Sequence, residues 1–124
     1  MVLTGINVGL IDERGEISSM YNGQAQNNLG IRTDILDNVK KSIGMEMMVR
    51  SMAPKVIVSD EIGNEDDVKA INYAMCSGAK GIFTAHGKNI DTLKKNPIFS
   101  QMLNLFERII FIKEHREVEI CSKL

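Results

Sequence analysis

Covalent and metal cross-links have little to work with in these 124 residues. The two cysteines, Cys76 and Cys121, are far apart, and neither has a cysteine or histidine at ligand spacing. A disulfide framework and a zinc site are therefore not expected, and free thiols buried in a reducing compartment are. An excess of one charge is also missing. Fifteen basic residues face sixteen acidic ones for a net charge of -1, which leaves no electrostatic footprint for nucleic acid. Lys40-Lys41 and Lys94-Lys95 read as solvated helix surface. The longest apolar run, Ile109-Ile110-Phe111-Ile112, has strand length and falls far short of the ~18 residues of a membrane span, so no direct membrane insertion is expected. Residues 1–7 lack the basic segment and apolar stretch of a secretory leader, so a cytoplasmic chain is expected. Internal repeats and low-complexity segments are absent. So is the phosphate-binding loop G-x-x-x-x-G-K-[ST], since Gly78-Ala79-Lys80-Gly81 has neither its spacing nor its hydroxyl.

What is present suits one globular domain over residues 1–124, at 44% hydrophobic and 25% charged. Residues 6–11 read as a buried strand ending in Asp12-Glu13, followed by a polar working loop over residues 15–30 with a turn at Asn22-Gly23. Thr33-Asp34 opens a short helix through Val39, and Gly44 breaks the pattern. A helix over residues 45–52 places Met45, Met48 and Met52 on one face, read as core packing, and Pro54 follows its end. Val56-Ile57-Val58 starts a strand covered on both faces. Asn64 caps the next helix, with Glu65, Asp66 and Asp67 in its first turn and Gly78 as its stop. A strand over residues 81–84, a short helix over 89–95, a second from Pro97 to about Phe106, and two closing strands over 108–113 and 117–121 complete the chain. Strands alternate with helices, so the fold class is α/β with a mainly parallel sheet flanked by helices.

In such a sheet, ligands lie beyond the carboxyl ends of the strands. Three strands end in reactive residues: Asp12-Glu13, Asp60-Glu61 and Thr84-Ala85-His86. Burial favours apolar residues up to a strand end, so acids at several ends point to a divalent cation and a phosphate chain. Val56 to Glu61 has the form of a Walker B strand, an apolar run followed by Asp-Glu. The Asp then holds the Mg²⁺ shell and the Glu polarises water toward the γ-phosphate. On its own, His86 reads as a satisfied histidine in a turn, His115 as a surface turn, and Arg50 as a cap on its helix C-terminus.

Longer matches add to this reading. Gly30-Ile31-Arg32-Thr33-Asp34-Ile35-Leu36-Asp37, Gly44-Met45, Arg50-Ser51-Met52-Ala53-Pro54, Asp60-Glu61-Ile62-Gly63-Asn64-Glu65-Asp66 and Thr84-Ala85-His86-Gly87 resemble, in order, the stage III sporulation protein AA family. Asp12-Glu13-Arg14-Gly15-Glu16-Ile17 is similar to that family's acidic segment. More distantly, residues 50–65 and 84–86 resemble the Walker B and histidine-box regions of type II and type IV secretion ATPases. The resemblance implies the back half of a RecA-like ATPase core using ATP and Mg²⁺ and serving the channel between mother cell and forespore. It implies Asp60 and Asp12 at the metal, Glu61, Glu13 and His86 in the catalytic set, and Arg14, Arg32, Arg50 and Thr84 as cofactor contacts. It further implies a homo-oligomer, a hexamer in the family, and membrane-embedded channel proteins as partners on the mother-cell side of the forespore membrane. Two positions depart from the family pattern: Asn64 stands where the family has Arg, and Val39-Lys40 where it has Cys-Pro. Without the phosphate-binding loop, the isolated chain is expected to be inactive. Its sheet is expected to have an open edge over residues 81–84, closed by the strand at 108–113 or by another chain.

A second reading is a response-regulator receiver domain phosphorylated at Asp60. Asp12-Glu13, Asp60, Thr84 and Lys113 fall in the receiver order. Against it, no Met-Pro follows Asp60, no Pro follows Lys113, and residues 15–30 lack the periodicity of a first helix.

Overall fold

The computed structural model describes residues 5–122 apart from Gly23, Gln26 and Ile31. The expectations placed on residues 1–4 and on those three positions lie outside the described residues. A four-stranded, all-parallel sheet forms the centre, in the order β4 (Thr33–Asp37), β1 (Val8–Asp12), β5 (Val56–Ser59), β6 (Lys80–Phe83). This is the expected α/β class. Helix α1 (Lys41–Met52) carries the chain from β4 to β5, and α2 (Glu65–Cys76) carries it from β5 to β6. The remainder comprises a hairpin of β2 (Met20–Tyr21) and β3 (Gln24–Ala25), the short helices α3 (Ile90–Lys95) and α4 (Phe99–Met102), and an antiparallel hairpin of β7 (Arg108–Ile112) and β8 (Val118–Ser122).

The core lies between the sheet and the pair α1 and α2. Ile11, Ile57, Met45, Met48, Val68, Ile71 and Met102 are buried there in one cluster. Helix α1 lies so close on β1 that a Cβ at Gly9 would meet Met48 Cγ at 2.6 Å, and one at Gly44 would meet Ile11 Cγ2 at 2.9 Å. Two glycines, one on the strand and one on the helix, thus set the approach of the two elements. Asn64 caps α2 as expected: its Oδ1 accepts from Asp67 N–H at 2.9 Å, while Asp67 Oδ2 accepts from the N–H groups of Gly63 and Asn64. Gly78, at φ +95°, follows the helix end.

Several expectations are corrected. Residues 33–39 form a strand and its exit turn and not a helix, because Thr33 to Asp37 pairs residue by residue with β1. Pairing with a buried central strand overrides the weak helical signal. Gly44 does not break a helix, since α1 begins at Lys41 and runs through it. The segment 15–30 is not structureless, for it contains β2 and β3. Strand β5 buries only alternate residues, Ile57 and Ser59, and leaves Val56 and Val58 half-exposed. Lys41 is buried and Cys76 is exposed, both against expectation, whereas Lys40 is exposed and paired with Asp66 at 2.9 Å. Met45 and Met48 are core residues, but Met52 is 44% exposed. Strand β7 does not close the sheet: it pairs with β8, and β6 remains the edge among the described residues.

Candidate functional site

Because β1, β4, β5 and β6 are parallel, their carboxyl ends share one edge of the sheet. Asp12 lies beside Asp37, Ile11 beside Ser59, and Ser59 beside Phe83. Asp12-Glu13, Asp60-Glu61 and Thr84-His86 are therefore brought to one edge, as the sequence predicts.

Asp12 is fully buried. Its Oδ2 accepts from Ser18 N–H at 2.8 Å and Ser18 Oγ at 2.6 Å, and its Oδ1 from Ile17 N–H at 3.3 Å. Burial pushes its pKa up, but the hydroxyl and amide of Ser18 and the amides of Ile17 and Glu16 outweigh that and hold the carboxyl below its ordinary value. Both oxygens of Asp12 are thus spent on folding the loop that carries Glu13 and Arg14.

Glu61 is the hub of the edge. Its carboxylate lies 3.6 Å from Arg14 Nη1 and 3.6 Å from His86 Nε2. All three side chains reach solvent, at 42%, 66% and 90% exposure in turn, so these contacts contribute little to stability and leave the carboxylate adjustable. The Glu61 backbone is held more tightly. Its N–H donates to Thr84 Oγ1 at 3.0 Å, and its carbonyl accepts from Lys41 Nζ at 2.8 Å. Lys41 Nζ is also 3.5 Å from Glu13 Oε2. The half-buried Asp60 has neither an ion pair nor a side-chain hydrogen bond among the described residues.

The donor set can be weighed against a metal and a phosphate chain. Among the described residues, no group of three or more His, Cys, Asp or Glu side chains is placed to cage a metal. Magnesium does not need such a cage: it takes one or two carboxylates and completes its shell with water and phosphate oxygens. The unpaired carboxylate of Asp60 suits that mode. Arg14, Lys41 and His86 supply cationic or hydrogen-donating groups on the same edge. The amino end of α2 carries its own capping box, which engages the amides of Gly63, Asn64 and Asp67.

Two of the three candidate arginines stand apart. Arg32 precedes β4 at the amino end of the sheet, one five-residue strand or roughly 16 Å from Asp37, where its Nη1 donates to Gly5 O at 3.3 Å. Arg50 lies in the last turn of α1, roughly 13 Å along the axis from Lys41, with its guanidinium 6.0 Å from the centre of the Tyr73 ring. Only Arg14 reaches the cluster. Lys41 is the residue that the sequence reading missed. A helix started at Met45 leaves Lys41 in a solvated pair, and only a strand ending at Asp37, in place of the expected helix, puts it at the edge.

Comparison with known proteins agrees with the motif order. The family described as "Sporulation stage III, protein AA" matches residues 1–121. Stage III sporulation protein AA of Bacillus subtilis (strain 168) is 39% identical over 97 residues, which cover 78% of this chain and 32% of the relative. The chain thus spans about a third of the length of the curated relative it matches. With nearly every residue inside the family match, and with the relative's identity spread over most of its length, the chain belongs to the sporulation stage III protein AA family.

Proposed function

We propose that the carboxyl edge of the sheet is the metal-and-water half of an ATP-hydrolysing site, within a motor of RecA-like architecture that energises the channel between mother cell and forespore. The observation that carries this reading is the Glu61 carboxylate standing between Arg14 and His86, with Asp60, unpaired among the described residues, next to it in sequence. Asp60 would hold Mg²⁺, which neutralises phosphate charge when bound. Glu61 would accept the proton of the attacking water, with Glu13 in support. His86 and Arg14 would meet the γ-phosphate. The edge of β6, unpaired among the described residues, supports the architecture, because in RecA-like sheets the strand leading into the phosphate-binding loop pairs beside the histidine-box strand. On this reading the chain works in a homo-oligomer, as a hexamer, beside membrane-embedded channel proteins on the cytoplasmic, mother-cell side.

The receiver reading loses its last element. It needs Lys113 at the end of a fifth parallel strand, but β7 is antiparallel to β8, and Lys113 pairs with Glu119 at 2.6 Å.

The test is a chimera in which this segment replaces the matching part of the Bacillus subtilis relative. Asp60→Asn and Glu61→Gln are each expected to abolish ATP hydrolysis, while Glu61→Gln keeps ATP binding. Unchanged turnover in the Glu61→Gln chimera removes its catalytic role. The isolated 124-residue chain is expected to show no hydrolysis.

A further inference from the structure

Glu61 has φ +46°, in the left-handed region where a residue bearing a side chain rarely stays unless its surroundings hold it there. Asparagine or glycine would adopt this conformation more readily, yet the position carries a long acid. Both polar groups of the Glu61 backbone are engaged by side chains from other elements. The N–H goes to Thr84 Oγ1 at 3.0 Å and the carbonyl to Lys41 Nζ at 2.8 Å. Each partner is itself fixed. The Thr84 backbone continues the β6 ladder, its N–H donating to Ser59 O at 3.2 Å and its carbonyl accepting from Ile62 N–H at 2.9 Å. The Lys41 side chain is only 11% exposed and stands in the first turn of α1, with the Glu13 carboxylate as its ion-pair partner at 3.5 Å. An ammonium so far from water needs such partners, so Lys41 is committed to this place.

We infer that Lys41 and Thr84 are positioning residues that form a two-point clamp on the Glu61 backbone, holding it left-handed and aiming its carboxylate into the gap between Arg14 and His86. Thr84 then acts through Glu61 and does not itself contact nucleotide. The clamp is a property of the fold; only the consequence of aiming Glu61 rests on the proposed ATPase reading.

The experiment uses nuclear magnetic resonance on the 124-residue chain, with Thr84→Val, Thr84→Ser, Lys41→Met and Lys41→Arg. Two signals report on Glu61: the cross-peak between its own amide and α protons, strong only at positive φ, and the exchange rate of its amide. In Thr84→Val the amide is expected to exchange about tenfold faster, and in both Thr84→Val and Lys41→Met the cross-peak weakens. Thr84→Ser and Lys41→Arg restore the native signals, which a general loosening of the fold would not allow. Thr84 is exposed, so Thr84→Val keeps the test decisive even if Lys41→Met fails to fold. A strong cross-peak and unchanged exchange in Thr84→Val overturn the clamp. In the chimera, Thr84→Val is expected to lower kcat at least tenfold with KM for ATP within twofold. A raised KM with native Glu61 signals would make Thr84 a nucleotide contact and sink the inference. A chimera with no turnover at all counts against the ATPase reading alone and leaves the resonance result to decide the clamp.

Discussion

Asp12 shows how a single carboxylate can shape a site without facing it. It is buried, charged, and surrounded by donors from Ile17 and Ser18. Its folded pKa lies below the ordinary 3.8, so its contribution to stability is fully present above 3.8 and is lost as pH falls through the lower folded value. Asp12→Asn turns one acceptor into a donor facing an N–H and is expected to cost about 1–3 kcal/mol in urea denaturation at pH 7. That difference should stay level down to about pH 4 and shrink only below it; a difference that fades near neutral pH would contradict this assignment. The acids at the strand ends were legible because burial makes them improbable there. Lys41 was not legible: a lysine next to another lysine is ordinary surface, and only the packing of α1 against the strand ends takes it out of water. Nor does sequence indicate which of Arg14, Arg32 and Arg50 reaches the edge, since that depends on strand direction and helix length.

The elements were legible where local chemistry sets the boundary, and α2 is the clearest case. Its capping box, acidic first turn and glycine exit are all local, and the helix lies where they place it. Asn64 is the N-cap of this helix, its Oδ1 accepting from Asp67 N–H. Asn64→Arg is expected to lose about 1 kcal/mol of stability by thermal unfolding, and an unchanged melting temperature would show that the cap is dispensable. Elements set by tertiary contact were misread. Residues 33–37 became a strand only because β1 was free on that side, and Gly44 stays in a helix because β1 needs the space. Gly44→Ala gains about 1 kcal/mol of helix propensity. The new methyl would also stand 2.9 Å from Ile11 Cγ2 and 3.2 Å from Val39 Cγ1, on two stiff β-branched side chains. A net loss of about 1–3 kcal/mol is expected. Gly63→Ala, with nothing within 4 Å, should be neutral and serves as the control.

At the scale of the whole molecule, the described sheet is covered unevenly. Helices α1 and α2 lie over the face that carries Gly9, Ile11 and Ile57, and α4 packs on α2, adding Met102 to the same core. Val56 and Val58 are half-exposed on the other face, and Ile82 is 43% exposed on the edge strand β6. Parallel sheets are ordinarily buried on both faces, and an open edge offers unpaired backbone groups to another strand. The hairpin of β7 and β8 adds a further apolar strip. Ile110 pairs with Ile120 and Ile112 with Val118, and all four are more than half exposed. That strip was not legible beforehand, because Ile109 to Ile112 reads equally well as a strand inside a sheet. So much uncovered apolar surface predicts that the purified 124-residue chain associates as its concentration rises. Ile82→Lys combined with Ile120→Lys places a charge on each exposed region. The average mass measured by sedimentation should then rise less steeply with concentration, with stability changed by no more than about 0.5 kcal/mol, as is usual for surface positions. An identical concentration dependence in the variant would mean that association runs through neither the β6 edge nor the hairpin, and a large loss of stability would mean that these side chains are core residues.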